Sequence, residues 1–199
     1  MLQAREDAIV QAVNRLLAER GYEAMTVDAV AAEVGIAKAS LYKHFPSKED
    51  LAAAAMVQVV RQVQAFMDAL PPGDSFLERL QAVVAWAMRA KLAGEMPFLP
   101  SHNSALREAL MAHSNYLAGL AGISAQLTGW IMAAQAEGQL RSNLPPQVVL
   151  YTLYARACDP VLDYLKIDGL YTDEQMIRLV MATCFDGLAV PPVERGGMD

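Results

Sequence analysis

Cysteine and histidine are scarce in this 199-residue chain, with 2 and 3 copies. Cys158 and Cys184 stand far apart without metal-ligand spacing, so in a reducing compartment both serve as small buried hydrophobes. His102 and His113 would share a face of one helix, but roughly 16 Å of helix axis separates them, too far to hold one ion unless that helix breaks. The chain has no His-x-x-x-His pair, cysteine cluster, phosphate loop or nucleophile–base pair. The expectation is therefore no metal, no cofactor and no enzymatic activity. Long apolar runs are missing too. Stretches such as "LAAAAMVQVV" at 51–60 are interrupted well short of the roughly 18 residues a membrane span needs. Charges also occupy the part of "MLQAREDAIVQAVNR" where a secretory signal would be apolar. We therefore expect no membrane partner and a cytoplasmic location. Nor is there an internal repeat, a low-complexity segment or an inter-domain linker.

Aromatic residues make up only 7% of the chain, while Ala, Leu, Val and 11 Met dominate within a hydrophobic share of 54%. Helix formers with so little β-branched clustering predict an all-α fold with an ample core. Ala8, Ile9, Ala12, Val13, Leu16 and Leu17 recur at helical spacing up to a stop at Gly21. Thr26 caps a second helix of about two turns, which halts at Gly35. A third short helix runs from about residue 37 to 44 and ends before Phe45-Pro46, because the residue preceding proline leaves helical geometry. Two short helices joined through a glycine turn form the helix-turn-helix pattern.

Ser47 with Asp50 opens a long fourth helix through about Leu70, and Ser75 caps the next. The segment from Ser101 to Gly138 forms one kinked helix or two. The helix opened near Pro145 or Pro146 should be kinked or interrupted at Asp159-Pro160. Thr172 and Gln175 form a capping box for a last helix to Leu188. Three units follow: a helix-turn-helix head over 1–46, a larger helical region over 47–190, and a frayed tail over 191–199.

Charge of one sign is also absent from one window. The chain has a formal charge of −6, yet no Asp or Glu lies between Val34 and Lys48, where Lys38, Lys43, His44 and Lys48 cluster. On a helix over 37–44, Lys38, Ala39, Tyr42 and Lys43 share the exposed face, Ser40 lies to one side, and Leu41 points into the core. A face of cationic donors, a phenol, a hydroxyl and a methyl suits the DNA major groove. Lys48 and Thr26 stand at helix N-termini, where free N–H groups and the helix dipole favour a phosphate. Any one of these lysines alone would be an ordinary solvated charge. Their conjunction with the helix-turn-helix spacing points to double-stranded DNA. From residue 51 onward 14 carboxylates face 10 Lys plus Arg, so most of the acidic excess lies away from this window. The acidic total is therefore compatible with a local DNA contact.

The stretch "GYEAMTVDAVAAEVGIAKASLYKHFPSKEDL" resembles the DNA-binding signature of the tetracycline-repressor (TetR) family of bacterial regulators. The match runs over about residues 5–56 and rests on the Gly-Ile turn, Leu41-Tyr42, His44-Phe45 and Ser47-Lys48-Glu49. Beyond it the likeness is architectural. The resemblance implies that Thr26, Ser40, Tyr42, His44 and Lys48 contact phosphates while Lys38, Ala39 and Lys43 face the bases. Two positions depart from the pattern. Ala37 stands where Ser or Thr often caps the recognition helix, and Ala39 stands where Gly is common. Ala39 offers a methyl to a thymine.

A twofold dimer of such heads would read two half-sites about one DNA turn apart. Two apolar stripes at the C-terminal end, one with Leu153, Tyr154 and Val161 and one with Ile177, Val180, Met181, Cys184 and Phe185, either complete the monomer core or join two copies. The resemblance favours the homodimer. It also implies an effector pocket among bulky, soft residues such as Phe66, Trp86, Met96, Phe98 and Trp130, with His102, Asn103, Arg107, His113, Tyr116 and Gln126 as polar candidates. The function so implied is a ligand-responsive regulator, in most such proteins a repressor, that leaves a palindromic operator when a small, largely apolar effector binds. The alternatives are a DNA-binding adaptor of the same fold whose second partner is a protein and, against the missing catalytic motifs, an all-helical enzyme.

Overall fold

The structure, a computed structural model, describes residues 2–96, 104–157 and 159–187, with side chains over 5–96, 106–156 and 159–187. Among the described residues all regular structure is helical. The elements are α1 (Leu2–Ala24), α2 (Val27–Val34), α3 (Lys38–Tyr42), α4 (Lys48–Asp68), α5 (Phe76–Leu92), α6 (Ser104–Ala112), α7 (Ser114–Ala136), α8 (Pro146–Ala157), α9 (Val161–Asp168) and α10 (Asp173–Phe185).

The head forms around Ile9, Val13 and Leu17 of α1, Val30 of α2 and Leu41 of α3, each fully buried. Gly21 sits at φ 73°, ψ 170° and breaks α1 there, leaving one further turn to Ala24. Thr26 Oγ1 accepts from Ala29 N–H at 3.1 Å and starts α2. Gly35, at φ 71°, ends it, and the Ile36 N–H closes back on the Ala31 carbonyl at 3.0 Å. Only a left-handed residue permits this closure, which turns the chain from α2 into α3. The recognition helix is shorter than its sequence suggests, five residues rather than eight. The N–H groups of His44 and Phe45 both turn onto the Leu41 carbonyl, a tightening that ends the helix ahead of Pro46.

Ser47 Oγ accepts from Asp50 N–H at 3.0 Å and opens α4. At about 1.5 Å per residue this helix reaches roughly 30 Å. Its first turns, with Leu51, Ala52 and Ala55, are buried against α1, while its later turns meet α5, α6 and α7. α7 lies between α4, α5 and α8. α7 is 23 residues long and by length and apolar composition could cross a membrane, contrary to the sequence expectation. Ile123, Leu127, Trp130 and Ile131 of this helix are buried against neighbouring helices, while Leu117 and Met132 are exposed. The helical segment expected to end at Gly138 breaks at His113 into two helices, α6 and α7.

Asp159-Pro160 separates α8 from α9, as the missing proline N–H requires, and Asp159 Oδ1 accepts from Val161 N–H at 3.0 Å. Of the two expected capping boxes, Thr172 with Gln175 forms in full, while Ser47 accepts from Asp50 N–H as a simple cap; Ser75, expected only as a cap, makes a full box with Glu78. Arg89 grips Glu174 through two hydrogen bonds of 2.8 and 3.1 Å and fastens α5 to α10. Leu188 and the tail lie outside the described residues.

Candidate nucleic-acid interface and effector cavity

Leu41, fully buried, anchors α3 so that Lys38, Ala39, Tyr42 and Lys43 are exposed together, with Ser40 half-buried beside them. The helix starts without a side-chain cap, since Ala37 has none to give. Carboxylates from outside the acid-free window nonetheless reach this region. Lys38 Nζ lies 2.8 Å from Asp28 Oδ2 on α2, and that hydrogen bond is the first cause holding the ammonium above its ordinary pKa. His44 is largely covered and its Nδ1 is 3.0 Å from Glu6 Oε1 on α1.

Lys48 does not extend into solvent. Its Nζ sits 4.4 Å above the Tyr22 ring and 3.3 Å from the Glu23 carbonyl oxygen. The Tyr22 hydroxyl donates to Glu49 Oε1 at 2.7 Å, and burial followed by that bond pushes the phenol well up, while the bond holds Glu49 below the usual carboxylate range. Thr26 is exposed with its oxygen engaged as a cap, which leaves its proton to donate. The face of α3 is thus Ala39, Tyr42 and Lys43 outward, Lys38 resting on α2, and His44 and Lys48 folded back onto the head.

A cavity of about 500 Å³ opens between α4, α5, α7 and α8. Met56, Val59, Val60 and Val63 form the α4 wall, and no charged side chain appears among the described residues that line it. Of the sequence candidates, Trp86, Met96 and Tyr116 stand in the wall, and Phe66 stacks on Trp86 with ring centroids 5.5 Å apart.

Others fall elsewhere, because periodicity on one helix cannot say which neighbour it meets. Trp130 is buried beneath the Arg79 guanidinium, 5.8 Å from its ring. Gln126 accepts from Gln64 Nε2 at 2.9 Å across the α4–α7 contact, and Arg107 is exposed. His113 lines a separate cleft near the head, with Glu6, Phe45 and Arg61. Phe98, His102 and Asn103 lie outside the described residues.

Two residues assigned by sequence to the dimer stripes, Leu153 and Tyr154, instead line the cavity, together with the unforeseen Ser124. Leu153, Ile177 and Val180 are at most 5% exposed in the single chain and leave almost no surface for a partner. Val161, Met181, Cys184 and Phe185 are half-buried against the core. Among the described residues, the large apolar side chains that α8 and α10 expose are Val148, Tyr151 and Leu179.

A three-helix head presenting a short recognition helix, on a larger helical region, defines a helix-turn-helix transcriptional regulator. Residues 9–55 match the family described as bacterial regulatory proteins, tetR family. An uncharacterised HTH-type transcriptional regulator of Mycobacterium tuberculosis is 31% identical over 160 residues, covering 75% of this chain and 76% of the relative. The chain belongs to the tetR family of bacterial regulatory proteins.

Solved structures share the whole architecture. The transcriptional regulator FadR from Bacillus subtilis in complex with stearoyl-CoA superposes with a TM-score of 0.66 at 19% identity, over 92% of this chain and 99% of that one. AibR in complex with isovaleryl coenzyme A and operator DNA gives 0.64 at 22% identity, over 91% and 98%. At these identities the likeness establishes the fold.

Proposed function

We propose that this regulator is a repressor that binds an inverted-repeat operator as a homodimer and releases it when a small, largely apolar effector fills the cavity. One observation carries the reading. α4 belongs to both sites, with Leu51, Ala52 and Ala55 packed into the head and Met56, Val59, Val60 and Val63 walling the cavity. A ligand that fits better when the α4 wall shifts must favour that conformer and thereby change the spacing of the two heads. Residues 1–46 then serve as the reading head and 47–190 as the effector and dimerisation region. Acting on DNA, the protein works in the cytoplasm.

Tyr42, Lys43 and Ala39 face the operator directly. Lys38 must leave Asp28 to reach a base, and His44 and Lys48 act by holding the head's shape and its helix N-terminus toward phosphate. An open interior favours a small-molecule effector over the adaptor reading, in which the second partner is a protein. The acyl-coenzyme A ligands of the two solved neighbours are consistent with an apolar chain in such a fold.

Selection of bound DNA from a random pool, followed by footprinting, tests the proposal. The expected product is a short inverted repeat whose binding weakens steeply with salt. Lys43→Ala should lower operator affinity about tenfold while the chain stays folded by circular dichroism, and a neutral long-chain lipid such as 1-dodecanol should release the DNA. Equal binding to every sequence would overturn the claim of a specific operator.

A further inference from the structure

Two hydroxyl groups meet in the cavity wall, Ser124 on α7 and Tyr154 on α8, with their oxygens 2.8 Å apart. Ser124 Oγ also lies 2.7 Å from the Leu120 carbonyl oxygen. A serine has one proton, and two oxygens at that distance need a proton between them. The carbonyl has none, so the Ser124 proton points at Leu120. The proton between the two hydroxyls must then come from Tyr154, which donates to Ser124 Oγ. Burial first of all pushes the Tyr154 phenol up, so it keeps that proton at physiological pH. What the phenol oxygen has left is acceptor capacity.

We infer that the effector is an uncharged, largely apolar molecule bearing a hydrogen-bond donor, a hydroxyl or an amide N–H, which Tyr154 Oη accepts. This rests on the cavity being the effector site. Ethers, esters and ketones bring only acceptors to this oxygen, whose proton is already committed, and the one proton kept by the lining Tyr151 hydroxyl, which accepts from Gln147 Nε2, belongs to a side chain more than half exposed, where water competes for it. A free carboxylate does the same and would also bury a charge among side chains that carry none to pair with it. The sign of the preference is diagnostic, since a cavity without an acceptor would penalise a buried hydroxyl more than an ether.

The test uses the full chain, with binding followed by tryptophan fluorescence because Trp86 stands in the wall. The probes are 1-dodecanol, dodecyl methyl ether and dodecane. The expected result is that the alcohol binds roughly fivefold tighter than the ether, the size of one net hydrogen bond. Tyr154→Phe should abolish that difference while leaving the ether's affinity in place. Ser124→Ala releases the Tyr154 proton and should move the preference toward the ether, a readout that stands even if Tyr154→Phe fails to fold. Equal affinities in the native chain, or a preference that survives Tyr154→Phe, would overturn the inference and leave the cavity reading intact. Failure of all three probes to bind would overturn both.

Discussion

Ala37 begins the recognition helix at φ −68°, ψ 140°, an extended geometry that serine adopts without strain, yet it offers no oxygen to the first turn. Ala37→Ser should stabilise the head by about 1 kcal/mol, read as a rise in melting temperature. Tyr22 holds a second residue-scale contribution through its hydrogen bond to Glu49. A carboxylate whose folded pKa is lowered contributes stability that is present above its unfolded value and is lost as pH falls through the folded one. Tyr22→Phe should therefore cost roughly 0.5–1 kcal/mol near pH 7, the lower part of the range because Glu49 stays partly solvated. Urea unfolding at neutral pH and near pH 3 should show that gap closing in acid. A gap independent of pH would mean the bond does not act through ionised Glu49.

At the scale of elements, the contact between α4 and α7 depends on one missing side chain. A Cβ at Gly119 would run into Val60 Cγ1, and Val60 is a stiff β-branched residue that also lines the cavity. Gly119→Ala gains up to about 1 kcal/mol of helix propensity but forces the helices apart at a cost of roughly 1–3 kcal/mol. The balance is unfavourable, so the melting temperature should fall. Operator affinity should fall with it, because the displacement pushes α4 from the cavity side. A variant as stable as the native chain would show that α4 yields there freely.

At the scale of the whole molecule, the proposed function has the acidic chain approach DNA through one local face, with pairing of two heads converting that contact into sequence recognition. Pairing needs apolar surface that the single chain leaves uncovered. On α10 that surface centres on Leu179, 47% exposed, whereas its neighbours Ile177 and Val180 are closed inside. Leu179→Glu should yield a folded monomer by light scattering, with operator binding weakened by at least an order of magnitude, since a charge placed in an apolar interface is left unpaired. An unchanged dimer would move the interface to another face, such as the exposed end of α9 at Tyr164 and Ile167.

Much of the architecture follows from local chemistry. The helix starts at Thr26, Ser75 and Thr172, the stops at Gly21 and Gly35, and the break at Asp159-Pro160 each depend on atoms within a few residues, and all were legible in the sequence. So was the outward set Ala39, Tyr42 and Lys43, fixed once Leu41 points inward. Tertiary packing decided the rest. A window free of acids along the chain is not free of them in space, because α2 carries Asp28 to Lys38 and α1 carries Glu6 to His44. The stripes of α8 and α10 show apolar periodicity whether they meet their own core or a partner, so only packing could assign Leu153, Ile177 and Val180 to the interior. Ser124 and Tyr154 are thirty positions apart, and nothing short of the crossing of α7 and α8 could join their hydroxyls in one cavity wall.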